Sequence, residues 1–150
     1  MTDELSPLVL VVDDDAPDRE QITAILEEFG VPSCSVRRAF EAIAYLRREG
    51  EFADAARPTL VLLDWKLAGS GLSVLRTIRE SHELRTIPVV VLSRSGADAD
   101  VTAAYGNFAN AFVMKDMDLH EFHRQLTSIC DFFLRVALLP GAGLQPLPLY

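Results

Sequence analysis

Five residues that could do chemistry each end an apolar run. The run 8–12 stops at Asp13-Asp14, 60–63 at Asp64, 89–92 at Ser93 and 111–114 at Lys115. Three carboxylates brought to one place repel one another unless a cation joins them. An all-oxygen donor set suits Mg²⁺, with Mn²⁺ as the alternative ion, and Mg²⁺ commonly keeps room for a phosphoryl oxygen. A hydroxyl and an ammonium on neighbouring strands are what the remaining oxygens of a phosphoryl group need. The chemistry indicated is metal-assisted handling of a phosphoryl group.

That chemistry requires the elements to bring the five residues together. The apolar runs alternate with helix-period segments. Pro17, Asp18 and Glu20 suit the first turn of a helix that Gly30 follows, and Ile22, Ile25, Leu26 and Phe29 form its buried stripe. Asp15 reads as the cap of this helix. A weak strand over 35–37 precedes a helix striped by Ala39, Ala42, Ile43 and Leu46, and 50–58 reads as a loop. Leu72, Leu75 and Ile78 mark a third helix, 97–105 a short fourth, and a long fifth runs from about Leu119 to Leu138. Strands that are apolar throughout are buried on both faces, so a parallel sheet covered by helices on each side is expected. In such sheets ligands sit beyond the carboxyl ends of the strands, where the five residues fall.

Composition narrows the function further. The 150 residues carry 14 Lys+Arg against 22 Asp+Glu, a net charge of −8, which repels a phosphate backbone and excludes unaided nucleic-acid binding. The apolar runs are too short to span a membrane, and the first seven residues lack a basic leader, so a cytoplasmic protein is expected. Cys34 and Cys130 form neither a disulfide framework nor a metal spacing, and His120 and His123 read as a solvated helix face.

The strand-end residues resemble those of response-regulator receiver domains, the phosphoacceptor half of two-component signalling, over roughly 8–138. Val11-Val12-Asp13-Asp14-Asp15 is similar to that family's acidic pair, Leu62-Leu63-Asp64 to its acceptor strand, Val91-Leu92-Ser93 to its hydroxyl position and Val113-Met114-Lys115 to its lysine. The resemblance implies a flavodoxin-like (βα)5 doubly wound sheet of five strands, with receiver domain 1–138 and a C-terminal extension or dimerisation arm 139–150. It implies that Asp64 receives a phosphoryl group from a histidine kinase. Asp13, Asp14, Asp64 and the backbone carbonyl of Lys66 would then hold Mg²⁺, and Ser93 and Lys115 would bind the phosphoryl oxygens. Ser93 and Phe112 are the implied switch pair.

The long connection 46–58 and the apolar end of the last helix are similar to the single-domain regulators paired with bacterial and cyanobacterial phytochromes. A phytochrome-type kinase is therefore the expected partner. Only twelve residues follow Leu138, so the expected output is a partner interaction, a relay or a phosphate sink. Ile129, Phe132, Phe133, Val136, Leu138 and Leu139 exceed one helical stripe, and a homodimer through them is expected.

Several positions depart from the family pattern. Asp116 follows Lys115 where proline is usual and is expected to compete for that ammonium; Arg94 is expected to gate Asp64; and Lys66 places a cation two residues past the acceptor. These motivate the alternative of a degenerate receiver acting as a phosphorylation-independent interaction module. A haloacid-dehalogenase-like phosphatase is disfavoured, because Lys66 stands where its second aspartate belongs.

Overall fold

A computed structural model describes residues 7–67 and 70–140. Each short apolar run forms a strand and each striped segment a helix. The order is β1 (Val9–Val12), α1 (Ala16–Glu28), β2 (Ser33–Val36), α2 (Ala39–Arg47), β3 (Leu60–Asp64), α3 (Gly71–Glu80), β4 (Val89–Ser93), α4 (Asp98–Gly106), β5 (Ala111–Met114) and α5 (Leu119–Asp131). All strand pairs are parallel, in the order β2-β1-β3-β4-β5. The chain therefore reverses direction across the sheet between β1 and β3, the switch point where doubly wound sheets bind ligands.

Alternation along the strands sorts the core into two layers. Leu10, Val12, Val61, Leu63, Val89 and Val91 pack on one face against α2, α3 and α4. Val9, Val11, Leu60, Leu62, Val90 and Leu92 pack on the other against α1 and α5. β1, β3 and β4 are buried throughout, whereas the edge strand β5 is half-buried and ends on exposed Met114. Asp15 caps α1 by accepting the Asp18 N–H at 3.0 Å, and Gly30 ends the helix segment at φ +72.

Three boundaries differ from the sequence expectation. β2 begins at Ser33, because its ladder is set by pairing with Val9 rather than by its own weak pattern. The expected loop 50–58 contains a 3₁₀ turn, Gly50–Phe52, seated by an edge-to-face contact of Phe52 with Tyr45 at 5.4 Å. The last helix is not α-helical to Leu138: α5 ends at Asp131 and passes into a π turn, Phe132–Val136. Leu134 enters the core beside Ile129, and the Arg135 guanidinium lies 4.3 Å from the centre of the Phe29 ring. These contacts fold the apolar end onto the domain. Ile129, only 8% exposed, therefore belongs to the domain's own core and not to a dimer surface. Of the remaining residues of that set, Phe133 and Leu139 are half-buried and Phe132, Val136 and Leu138 are exposed. The expected arm lies outside the described residues beyond Pro140.

Gly71, the first residue of α3, touches the end of β3. A Cβ there would lie 2.8 Å from the backbone oxygens of both Asp64 and Trp65, which cannot yield without moving the strand end. At Gly96 a Cβ would meet only the flexible tip of Met114. Gly71→Ala is therefore expected to cost about 1–3 kcal/mol in urea denaturation, and Gly96→Ala clearly less. Equal losses would contradict this packing.

Candidate phosphoryl-transfer site

Strand register alone brings the five residues together. Val12 pairs with Leu63, Asp64 with Leu92 and Ser93 with Met114, so Asp13, Asp64, Ser93 and Lys115 end neighbouring strands at a common edge. The ladder continues one step beyond the strands. Asp13 N–H donates to the Val36 carbonyl, Trp65 N–H to that of Leu92 and Lys115 N–H to that of Ser93, at 3.1, 2.9 and 2.7 Å. The backbone carrying each functional side chain is thus held by the sheet itself.

Carboxylate oxygens of Asp13, Asp14 and Asp64 all lie within 4.8 Å of one another. Asp13 and Asp64 are buried, and Asp14 is exposed at the mouth. Burial raises the Asp64 pKa to about 6; the charge of Lys115 opposes the shift, while Asp13 and Asp14 add to it. Asp13 is also raised by burial, against the hydrogen bond and charge of Lys115. A pocket that resists ionising its own acids gains most from a bound divalent cation. The oxygen-only donor set suits Mg²⁺ or Mn²⁺, as the sequence indicates.

Lys115 is the resident cation. Its ammonium donates to Asp13 Oδ2 at 2.8 Å and Asp18 Oδ2 at 2.9 Å, and lies 3.5 Å from Asp64 Oδ1. Burial alone would lower its pKa, but the hydrogen bond and charge of Asp13, with Asp64 and Asp18, outweigh that and leave it raised. Ser93 is fully buried, and its hydroxyl oxygen accepts the Ser95 N–H at 3.2 Å, tying the end of β4 to the β4–α4 loop. Phe112 is half-buried on β5 against the α2–α3–α4 layer, and its N–H donates to the Tyr105 hydroxyl at 3.1 Å.

Two expectations about neighbouring charges are corrected. Asp116 does not compete for Lys115: its carboxylate accepts the Asp118 N–H at 2.9 Å, and its own N–H donates to Gln125. Arg94 does not stand as a free gate before Asp64, because it pairs with Asp18 at 2.6 Å. Lys66 reaches Asp100 on α4 at 3.1 Å. Among the described residues, no peptide bond is cis, that between Lys115 and Asp116 included.

Asp18 is the site residue that sequence reasoning missed. In the sequence it stands as an acid favouring the positive end of a helix. Its signal lay in the pattern: positions 18, 22, 25 and 29 share one face of α1, so Asp18 continues the buried apolar stripe as a carboxylate. An acid on such a stripe needs a buried cation, and Lys115 supplies it.

This fold and strand-end constellation define a receiver. The chain belongs to the response regulator receiver domain family, whose pattern matches residues 9–127. Among individual proteins it is similar to the response regulator Rcp1 of a Synechocystis strain, with 32% identity over 147 residues, covering 95% of this chain and 100% of that protein. Its fold matches the phosphorylated cyanobacterial phytochrome response regulator RcpA at TM-score 0.87 and 36% identity, over 90% of this chain and 99% of that one. It matches the Mn²⁺-bound form of Rcp1 at TM-score 0.85 and 31% identity, over 89% and 99%. The bacteriophytochrome response regulator RtBRR aligns at TM-score 0.72 and 35% identity, over 89% and 82%.

The raised Asp64 pKa has a consequence for stability. The folded value of about 6 exceeds the ordinary 3.8, so the folded chain holds the extra proton between them. The stability this contributes is present below about pH 4 and lost as pH rises through about 6. With divalent cations removed, Asp64→Asn is expected to stabilise the protein by about 1–3 kcal/mol at pH 7.5 and by little at pH 4. A gain independent of pH, measured by thermal unfolding, would contradict the origin assigned to it.

Proposed function

We propose that the chain receives a phosphoryl group on Asp64 from the phosphohistidine of a histidine kinase, a phytochrome-type photoreceptor. The observation that carries this reading is the meeting of Asp13, Asp14, Asp64 and Lys115 at the switch point of the sheet. A carboxylate oxygen of Asp64 forms the new P–O bond as the P–N bond breaks. The electron pair returns to the imidazole, which leaves neutral when its other nitrogen carries a proton. Asp13, Asp14, Asp64 and the Lys66 backbone carbonyl would hold a divalent ion, which would supply charge neutralisation for the transferring group. Lys115 neutralises a further phosphoryl oxygen, and Ser93 receives another, with Phe112 following the movement of its loop. The protein acts on no separate substrate, since the group enters and leaves on Asp64.

The kinase assignment is supported by the similarity to regulators named for phytochromes, over nearly the whole chain. The charge of −8 supports protein partners in preference to nucleic acid. Among the described residues, no helix is long and apolar enough to cross a membrane. The homodimer is carried by Phe132, Val136 and Leu138, which stand 52%, 59% and 71% exposed in one short stretch.

Incubation with phosphoramidate or a phytochrome kinase should retard the protein on a phosphate-affinity gel. Asp64→Asn and EDTA should each abolish the shift. A wild type unmodified by both donors would favour the phosphorylation-independent interaction module instead. Light scattering tests the dimer: Phe132→Glu with Leu138→Glu should halve the mass, and a wild type already monomeric at micromolar concentration would overturn the assignment.

A further inference from the structure

Asp18 sits in the first turn of α1, 3% exposed, and divides its two oxygens between two cations. Oδ2 takes Lys115 at 2.9 Å, and Oδ1 takes Arg94 at 2.6 Å. Of the three carboxylates around the Lys115 ammonium, Asp64 is the farthest, at 3.5 Å against 2.8 Å for Asp13 and 2.9 Å for Asp18. Arg94 follows Ser93 directly, and its side chain is 53% exposed, so it reaches Asp18 from the solvent side of the site.

Resting on the reading of Asp64 as phosphoacceptor, we propose that Asp18 is a positioning residue that holds Lys115 back from Asp64, with Arg94 setting the strength of that hold. Both cations draw on one carboxylate. Charge that Arg94 neutralises on Asp18 is charge that no longer attracts Lys115. Arg94 also makes the release of Lys115 inexpensive. When the ammonium moves to a phosphoryl oxygen on Asp64, Asp18 keeps the guanidinium and is not left a buried, unpaired carboxylate. The pair thereby links the charge state of the acceptor to the residue beside Ser93.

The signs of three variants test this in a way that a merely structural role would not reproduce. Initial rates of labelling by phosphoramidate are measured at saturating Mg²⁺. Asp18→Asn keeps a hydrogen-bond acceptor for Lys115 but removes the charge, and labelling should quicken by roughly tenfold. Arg94→Gln leaves Asp18 wholly to Lys115, and labelling should slow several-fold. Arg94→Lys, which keeps a cation, should recover most of that loss. In the double variant the rate should equal that of Asp18→Asn, because Arg94 acts only through Asp18. A slower or unchanged Asp18→Asn, or an Arg94→Gln effect that persists in the double variant, overturns the proposal. Should Asp18→Asn fail to fold, the half-solvated Arg94→Gln carries the test alone, and an unchanged rate overturns the inference. Wild type that takes no label while folded overturns the acceptor reading and this inference with it; labelled wild type with the wrong signs overturns the inference alone.

Discussion

The ammonium of Lys115, buried among Asp13, Asp18 and Asp64, is the interaction on which the rest of the site depends. Carboxylates crowded at one sheet edge are unfavourable in proportion to their burial, and a single ammonium offsets part of that cost by donating to Asp13 and Asp18 and pairing with Asp64. The balance is left incomplete. Asp64 still ionises only with difficulty, and Asp14 extends the excess negative charge into solvent. A site so poised attracts a divalent cation and then an anionic phosphoryl group.

Rigidity beneath the site comes from the sheet. The central strands β1, β3 and β4 are buried on both faces, and the parallel ladder continues through Asp13, Trp65 and Lys115. Loops and an edge strand surround that base. The β4–α4 loop begins at Arg94, directly after Ser93, β5 is an edge strand, and Lys66 pairs with Asp100 on α4.

Much of this was legible from the sequence because burial on both faces forces a run of Val, Leu and Ile, and a polar residue ending such a run marks the sheet edge. Asp13, Asp64, Ser93 and Lys115 stand out that way, and the stripes of α1, α2 and α3 mark the side by which each helix packs, though not which face of the sheet it covers. Asp18 was missed because a carboxylate early in a helix has an ordinary explanation, the helix dipole, which masked its place on the buried stripe. Arg94 and Asp116 were misjudged for a different reason. Sequence adjacency says which charges are near one another along the chain, whereas their partners, Asp18 and Asp118, are set by how loops meet a helix or its cap. The end of the last helix was misread because its apolar excess is explained partly by a π turn that sends Leu134 inward, a shift in helical phase that a regular period does not describe.

Lys115 already occupies, as a cation, the negative field that a metal would share. Trp65 adjoins Asp64 in the chain and offers a fluorescence reading of Mg²⁺ binding. Titration of wild type and Lys115→Met is the most direct test. Loss of the ammonium leaves the carboxylates without their buried counter-charge, and Mg²⁺ affinity should rise by about tenfold. Unchanged or weaker Mg²⁺ binding in a folded Lys115→Met protein would contradict the account.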